Sequence, residues 1–249
     1  MQGLESRVVL VTGAASGIGA DVARSYAANG AKVALVDIDV QGAEHVRAEL
    51  SKPDTHYVFP SDLADLDQCE SVVNEVFDWA QRIDVLVNAA AYLKRVEISD
   101  VDKEHISRST MINMAAPLVL ARTCAEHMRK NSWGRIILFT SQGAFTGGFN
   151  GSAVYAMTKA GVGALVKSLA REYAEFGITV NAISPGAADT PMLHSGMSDG
   201  DLQAFREKIP MGRFAAVTEV SAPCVFLGSD DASYITGATL DVNGGQLMR

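Results

Sequence analysis

An apolar run that breaks into glycine is the strongest constraint this chain places on its fold. Arg7-Val-Val-Leu-Val-Thr12 is rich in β-branched residues and has the look of a buried parallel strand. Gly13-Ala-Ala-Ser16-Gly17-Ile18-Gly19 follows at once, and Ala20 to Asn29 then reads as a helix stopped by Gly30. Lys32-Val-Ala-Leu-Val-Asp37 reads as the next strand. Strand, turn, helix and strand in that order imply a right-handed crossover and a parallel sheet. The alternation continues through all 249 residues without a linker, repeat or low-complexity segment. The expectation is one α/β domain over 1–249, a Rossmann-type doubly wound parallel sheet with helices on both faces.

The same turn carries chemistry. Glycines let backbone N–H groups approach a pyrophosphate at the positive end of a helix. Asp37 closes the second strand at about twenty residues past the glycines, where a carboxylate can bind both ribose hydroxyls of an adenosine and repel a 2′-phosphate. No arginine follows Asp37 and Ser16 is not basic, so NAD is favoured over NADP. Tyr155 and Lys159 stand four apart, on one face of a helix. A phenol titrates at about 10 when free, and a neighbouring cation favours its ionised form. Such a tyrosine can exchange a proton with an alcohol or a carbonyl oxygen, but the hydride partner has to come from a cofactor. Ser141 lies upstream, just after an apolar strand. Each of these residues has a bland alternative taken singly: a tight turn, a helix cap, a solvated lysine, a serine satisfying backbone donors. Their joint occurrence in one order argues for function.

With these residues in place, the chain resembles the short-chain dehydrogenase/reductase superfamily, in its compact single-domain form, from about residue 4 onward. The spacing Thr12-Gly13-(three residues)-Gly17-Ile18-Gly19 is similar to that family's glycine motif. Ser141 with Tyr155-x-x-x-Lys159 matches its catalytic serine and tyrosine–lysine pair, and Asn113 falls where the family has a catalytic asparagine. The resemblance implies that Asp62 and Leu63 meet the adenine ring, and that Pro185, Gly186 and Thr190 meet the nicotinamide end. It also implies that Lys159 binds the nicotinamide ribose while lowering the Tyr155 pKa, that Ser141 donates a hydrogen bond to the substrate oxygen, and that Asn113 holds a relay water. Thr236-Gly237 and Asp241-Val-Asn-Gly-Gly245 match the family's closing strand and turn. Two features depart from the pattern. In Asp84-Val-Leu-Val-Asn88-Ala-Ala-Ala91, alanines 89 and 91 replace a second asparagine and a glycine, in the segment that approaches the adenosine ribose. The interval from Ser141 to Tyr155 is also about one residue longer than the family pattern, which bears on the intervening loop.

Composition excludes other classes. A net charge of -8 argues against nucleic acid as a partner. Cys69, Cys124 and Cys224 are scattered, as are His45, His56, His105, His127 and His194, so neither a disulfide framework nor a metal site is expected. No basic start with an apolar core suggests a leader, and no apolar run approaches bilayer length. A reducing cytoplasm fits, and the resemblance implies a homotetramer, for which Val225-Phe-Leu227 can serve either an interface or the core.

Substrate identity rests on the segments that line the pocket in this family: Tyr92 and Leu93, then Gln142, Phe145 and Phe149, then Met192 and Leu193. Within 191–213, Leu202, Phe205 and Ile209 recur at helical spacing, and Gly196 and Gly200 can act as hinges of a lid. The alternative is a small helix packed on the core. An apolar lid favours a hydrophobic secondary alcohol or ketone over a sugar or a highly charged acid. A 3-oxoacyl-thioester reductase is the rival enzyme, disfavoured by Asp37 and the acidic balance. A non-catalytic NAD(H)-binding regulator is the rival from another class, and it has no need of Asn113, Ser141, Tyr155 and Lys159 together.

Overall fold

The computed structural model describes residues 1–249 and contains seven strands in one parallel sheet. In chain order the strands are β1 (Val8–Thr12), β2 (Lys32–Asp37), β3 (Tyr57–Pro60), β4 (Val85–Asn88), β5 (Gly134–Phe139), β6 (Ile178–Pro185) and β7 (Thr239–Val242). They lie in the order β3-β2-β1-β4-β5-β6-β7. The helices are α1 (Gly17–Ala28), α2 (Val40–Glu49), α3 (Leu66–Ala80), α4 (Lys103–Thr110), α5 (Ala116–Arg129), α6 (Gly143–Thr146), α7 (Ala153–Tyr173), α8 (Pro191–His194), α9 (Asp199–Glu207) and α10 (Val217–Leu227). A π-helical turn over Met111–Ala115 joins α4 to α5.

Strand periodicity sorts the core. Successive side chains leave a strand on opposite faces, so Val8 and Leu10 of β1 enter one cluster with α3, α5 and α7. Val9 and Val11 enter another with α1, α2 and α10. The clusters hold 28 and 27 buried residues, so both faces are covered equally. That explains why the strands read as unbroken apolar runs rather than alternating ones. Val225 and Leu227 belong to the second cluster, which places that segment in the core. α1 begins at Gly17 rather than Ala20 and ends before Asn29 and a left-handed Gly30.

Strand order reverses between β1 and β4. Their carboxyl ends therefore splay apart into the crevice where open parallel sheets bind ligands. Thr12 and Asn88, paired in register across that switch point, also bond through their side chains at 2.9 Å. No helix is long and apolar enough to cross a membrane.

Candidate active site

A cavity of about 540 Å³ opens over the switch point, and it runs from the glycine turn at one end to α9 at the other. At the first end, Gly13, Ser16, Gly17, Ile18 and Gly19 form the wall. The turn is tight enough to require glycine. Gly13 has φ +69, and a Cβ there would lie 2.8 Å from the backbone of Ala90. A Cβ on Gly19 would overlap the carbonyl of Gly13. Asp37 stands beside this turn, accepting the N–H of Ala15 at 2.9 Å and that of Asp39 at 3.0 Å. Those bonds fix the carboxylate at the cavity edge. Ser61, Asp62 and Leu63 continue the same wall. Asp62 is steadied by the N–H of Ala64 at 2.9 Å, and the buried Ser61 Oγ has no partner in the protein. A bare backbone cradle at a helix start, an acid at the next strand end and an orphaned hydroxyl fit the pyrophosphate and ribose of a nicotinamide dinucleotide.

Midway along the cavity lie Ser141, Tyr155, Lys159, Pro185, Gly186 and Thr190. Ser141 Oγ accepts the N–H of Gly143 at 3.1 Å, which leaves its own hydrogen free to donate. Tyr155 and Lys159 share one face of α7, with Lys159 Nζ 5.5 Å from the phenol ring centre. The ammonium donates to the carbonyl of Phe139 at 2.8 Å. Burial pushes the Tyr155 phenol up to about 12, with Arg95 as the charge that pulls the other way. Burial also brings Lys159 down to about 8. Lys159 is buried, whereas Tyr155 is partly buried and faces the cavity.

Three other expected site residues sit off the cavity wall. Asn88 is buried against Thr12. Asn113, in the π turn, uses its side chain on the loop after β4: Oδ1 accepts from Tyr92 N at 2.8 Å, and Nδ2 donates to Tyr92 O at 2.9 Å and to Thr158 Oγ1 at 3.1 Å. Both donors are thus spent on protein. Phe145 is half-exposed beneath the Arg249 guanidinium, 3.8 Å from its ring centre, because α6 turns it away from Ser141.

At the far end, Tyr92, Leu93, Gln142, Phe149, Met192 and Leu193 line the cavity, as does Phe205 of α9. Leu202 and Phe205 pack on a small cluster of Ala187, Leu193 and Ile209, so α9 has its own apolar base and shows Phe205 to the cavity as well. Gly196 is left-handed, whereas Gly200 lies within the first turn of α9, behind a Ser198–Asp201 capping box. Gln142 donates to Gln246 at 2.6 Å, bringing the chain end to the wall, while its buried Oε1 has no partner. The long interval after Ser141 is a loop pinned to its neighbour: Val96 N donates to Gly151 O at 3.0 Å. Gly151 has φ +72, and a Cβ there would lie 2.8 Å from the Val96 backbone. Sequence reasoning missed Ser61, Arg95, Arg108, Asp201 and Lys208 in the wall. All but the helical Arg108 and Asp201 lie outside regular elements, and none belongs to a motif.

Comparisons with known proteins agree with this geometry. The family model described as Enoyl-(Acyl carrier protein) reductase matches residues 13–246. The chain is 34% identical over 247 residues to the D-threitol dehydrogenase of Mycolicibacterium smegmatis, covering 99% of this chain and 95% of that one. It is 35% identical over 244 residues to the 3-oxoacyl-[acyl-carrier-protein] reductase of Escherichia coli, covering 98% of each. A 3-ketoacyl-(acyl-carrier-protein) reductase from Brucella melitensis, solved in complex with NADH, superposes with a TM-score of 0.91 at 33% identity, covering 99% of this chain and 100% of that one. The chain belongs to the short-chain dehydrogenase/reductase family. It is an oxidoreductase acting on CH–OH groups with a nicotinamide cofactor.

Proposed function

We propose that the protein reversibly oxidises a secondary alcohol with a largely apolar body to its ketone, using NAD and the set Asn113, Ser141, Tyr155 and Lys159. One observation carries this: Ser141, Tyr155 and Lys159 line the middle of a cavity that has the glycine turn and Asp37 at one end and apolar side chains at the other. Bound NAD supplies the hydride acceptor that no side chain can provide. Gly13, Ser16, Gly17, Ile18 and Gly19 hold its pyrophosphate, and Asp37 takes the adenosine ribose and repels a 2′-phosphate. Asp62 and Leu63 flank the adenine, while Pro185, Gly186 and Thr190 border the nicotinamide.

Tyr155 accepts the hydroxyl proton as the carbonyl forms, and returns it in the reverse direction. Ser141 donates to the same oxygen, where negative charge develops. Lys159 is held near the phenol by the Phe139 carbonyl. Asn113 acts through the Tyr92 backbone it grips, as a positioning residue. A phenol raised to about 12 holds its proton at neutral pH. Alcohol oxidation is therefore expected to speed up as pH rises, in steady-state rates.

A 3-oxoacyl-thioester reductase is the second reading, favoured by the names of the Escherichia coli and Brucella relatives. The charge of -8 counts against it, since an acyl-carrier partner wants a basic face, whereas the NADH held by the Brucella relative takes away the objection from Asp37. A reducing cytoplasm fits three free, buried cysteines, and a homotetramer follows the family; light scattering tests the latter.

The deciding experiment is initial rates across aliphatic, aromatic and hydroxyacyl secondary alcohols with NAD and NADP in parallel. Turnover confined to NAD supports the proposal, and Asp37→Ser should then erase most of the preference. NADP-linked turnover by the unaltered protein would sink the role of Asp37. NADH binding with silence throughout would move the regulator ahead of the enzyme.

A further inference from the structure

The cavity's substrate end is not purely apolar, because Arg95 stands in its wall. Its stem lies against Gly196, where a Cβ would sit 3.5 Å from Arg95 Cδ, and its Nε donates to the Ser195 carbonyl at 3.2 Å. The following residue is pinned by the bond from Val96 N to Gly151 O. One donor and the backbone are thus fixed, while the two terminal nitrogens make no hydrogen bond within the protein and feel the Asp201 charge without an ion pair. The nearby carboxylate does not take them. Asp201 accepts from Ser198 N at 3.0 Å and Ser198 Oγ at 2.6 Å, capping α9 instead. Arg95 is only partly exposed, and burial works against its charge. Its charge is nonetheless felt at the Tyr155 phenol in the same cavity.

A partly buried guanidinium with its fork free, anchored by its third nitrogen among apolar walls, matches the planar, bidentate geometry of a carboxylate. A carboxylate would replace the water at the terminal nitrogens with two charge-assisted hydrogen bonds.

We propose that the substrate is an amphipathic hydroxy acid, or the corresponding oxo acid, whose carboxylate is taken by the terminal nitrogens of Arg95 while its apolar chain lies against Phe149, Met192 and Phe205. This rests on the alcohol–ketone reading above and sharpens it. The apolar walls hold the body of the molecule, and Arg95 selects its head. Arg95 is a specificity residue: it selects the carboxylate, while the proton transfer belongs to Tyr155.

The test uses matched series with NAD: 2-, 3- and 4-hydroxy acids of several chain lengths, their methyl esters, and the plain secondary alcohols. The unaltered protein should prefer an acid over its ester by about tenfold or more in kcat/KM. Arg95→Gln should lower kcat/KM for that acid by about 100-fold, chiefly through KM, and leave the ester within about threefold. Arg95→Lys, which keeps the charge without the fork, should fall between them. Unchanged NADH affinity and melting temperature in both variants show that the fold and the cofactor end are intact. Equal acid-to-ester ratios in the unaltered protein and Arg95→Gln, or an ester preference from the start, overturn the inference while leaving the alcohol–ketone reading in place. Failure to oxidise acids, esters and plain alcohols alike, with NADH bound, overturns both.

Discussion

The two ends of the cavity are built from different materials. At the cofactor end the wall is main chain: a glycine turn closed against the Ala90 backbone, and an aspartate fixed by two backbone N–H groups. At the substrate end the wall is side chain, carried on the loop after β4, the loop before α7 and the segment around α8 and α9. These loops touch through few bonds, notably Val96 to Gly151 and Arg95 to Ser195. A binding end made of backbone tolerates little change in geometry. One made of loop side chains can be rewritten without disturbing the sheet. The family relatives fit this division, since proteins named for a polyol and for acyl thioesters align over nearly the whole chain.

The boundary between the ends is where the largest effect is expected. Tyr155→Phe removes the proposed proton carrier and should lower kcat by about a thousandfold, while NADH affinity measured by fluorescence stays within about threefold. Near-normal turnover would show that the boundary lies elsewhere. Gly19→Ala attacks the backbone end, where the added carbon overlaps the Gly13 carbonyl. We expect NADH affinity to fall by about 100-fold and melting to occur at lower temperature. Unaltered affinity would mean the turn relaxes freely and is not a rigid cradle. Gly151→Ala is the matching change at the loop end, strained both by φ +72 and by the Val96 backbone. It should raise substrate KM by about tenfold and leave NADH affinity alone. Loss of NADH binding there would erase the distinction between the ends.

The smallest effect concerns stability. Folding lowers the Lys159 pKa from 10.5 to about 8. Between those values the unfolded chain binds the extra proton, so this residue makes stability rise with pH, fully gained above 10.5 and lost as pH falls through about 8. Lys159→Met should reduce that slope by a few degrees of melting temperature across the window, read as the difference from the unaltered protein. An identical pH profile in both would place Lys159 in a wetter setting than the Phe139 contact describes.

Legibility in the sequence followed the same division. Gly13, Gly17, Gly19 and Asp37 were readable because backbone turns demand particular residue types at fixed offsets from a strand. The apolar runs of β1 and β2, and the strand before Ser141, were readable because both sheet faces are covered. Phe145 was chosen for its nearness to Ser141 along the chain, yet one short helix is enough to turn it away. Arg95 could not be found, because an arginine on a loop has no periodicity and its free fork exists only once the loops meet. Asn113 was found in its motif, but its grip on the Tyr92 backbone depends on an irregular helix that no local pattern announces.

That irregularity has a consequence in helical phase. From Lys103 to Arg129 the chain is helical throughout, with the π turn over Met111–Ala115 interrupting its pitch. A π turn holds one residue more than an α-helix of the same rise has room for. Five residues at π pitch turn the chain about as far as four at α pitch, so deleting a single residue there would let the rod run straight with α4 and α5 in nearly their present phase. The shortened protein would own a more regular helix and a blinder one: α5 would keep its place against the sheet while Asn113 swung out of phase with Tyr92. The extra residue leaves the two ends of the rod as a uniform pitch would set them, and changes only the direction in which the turn presents Asn113.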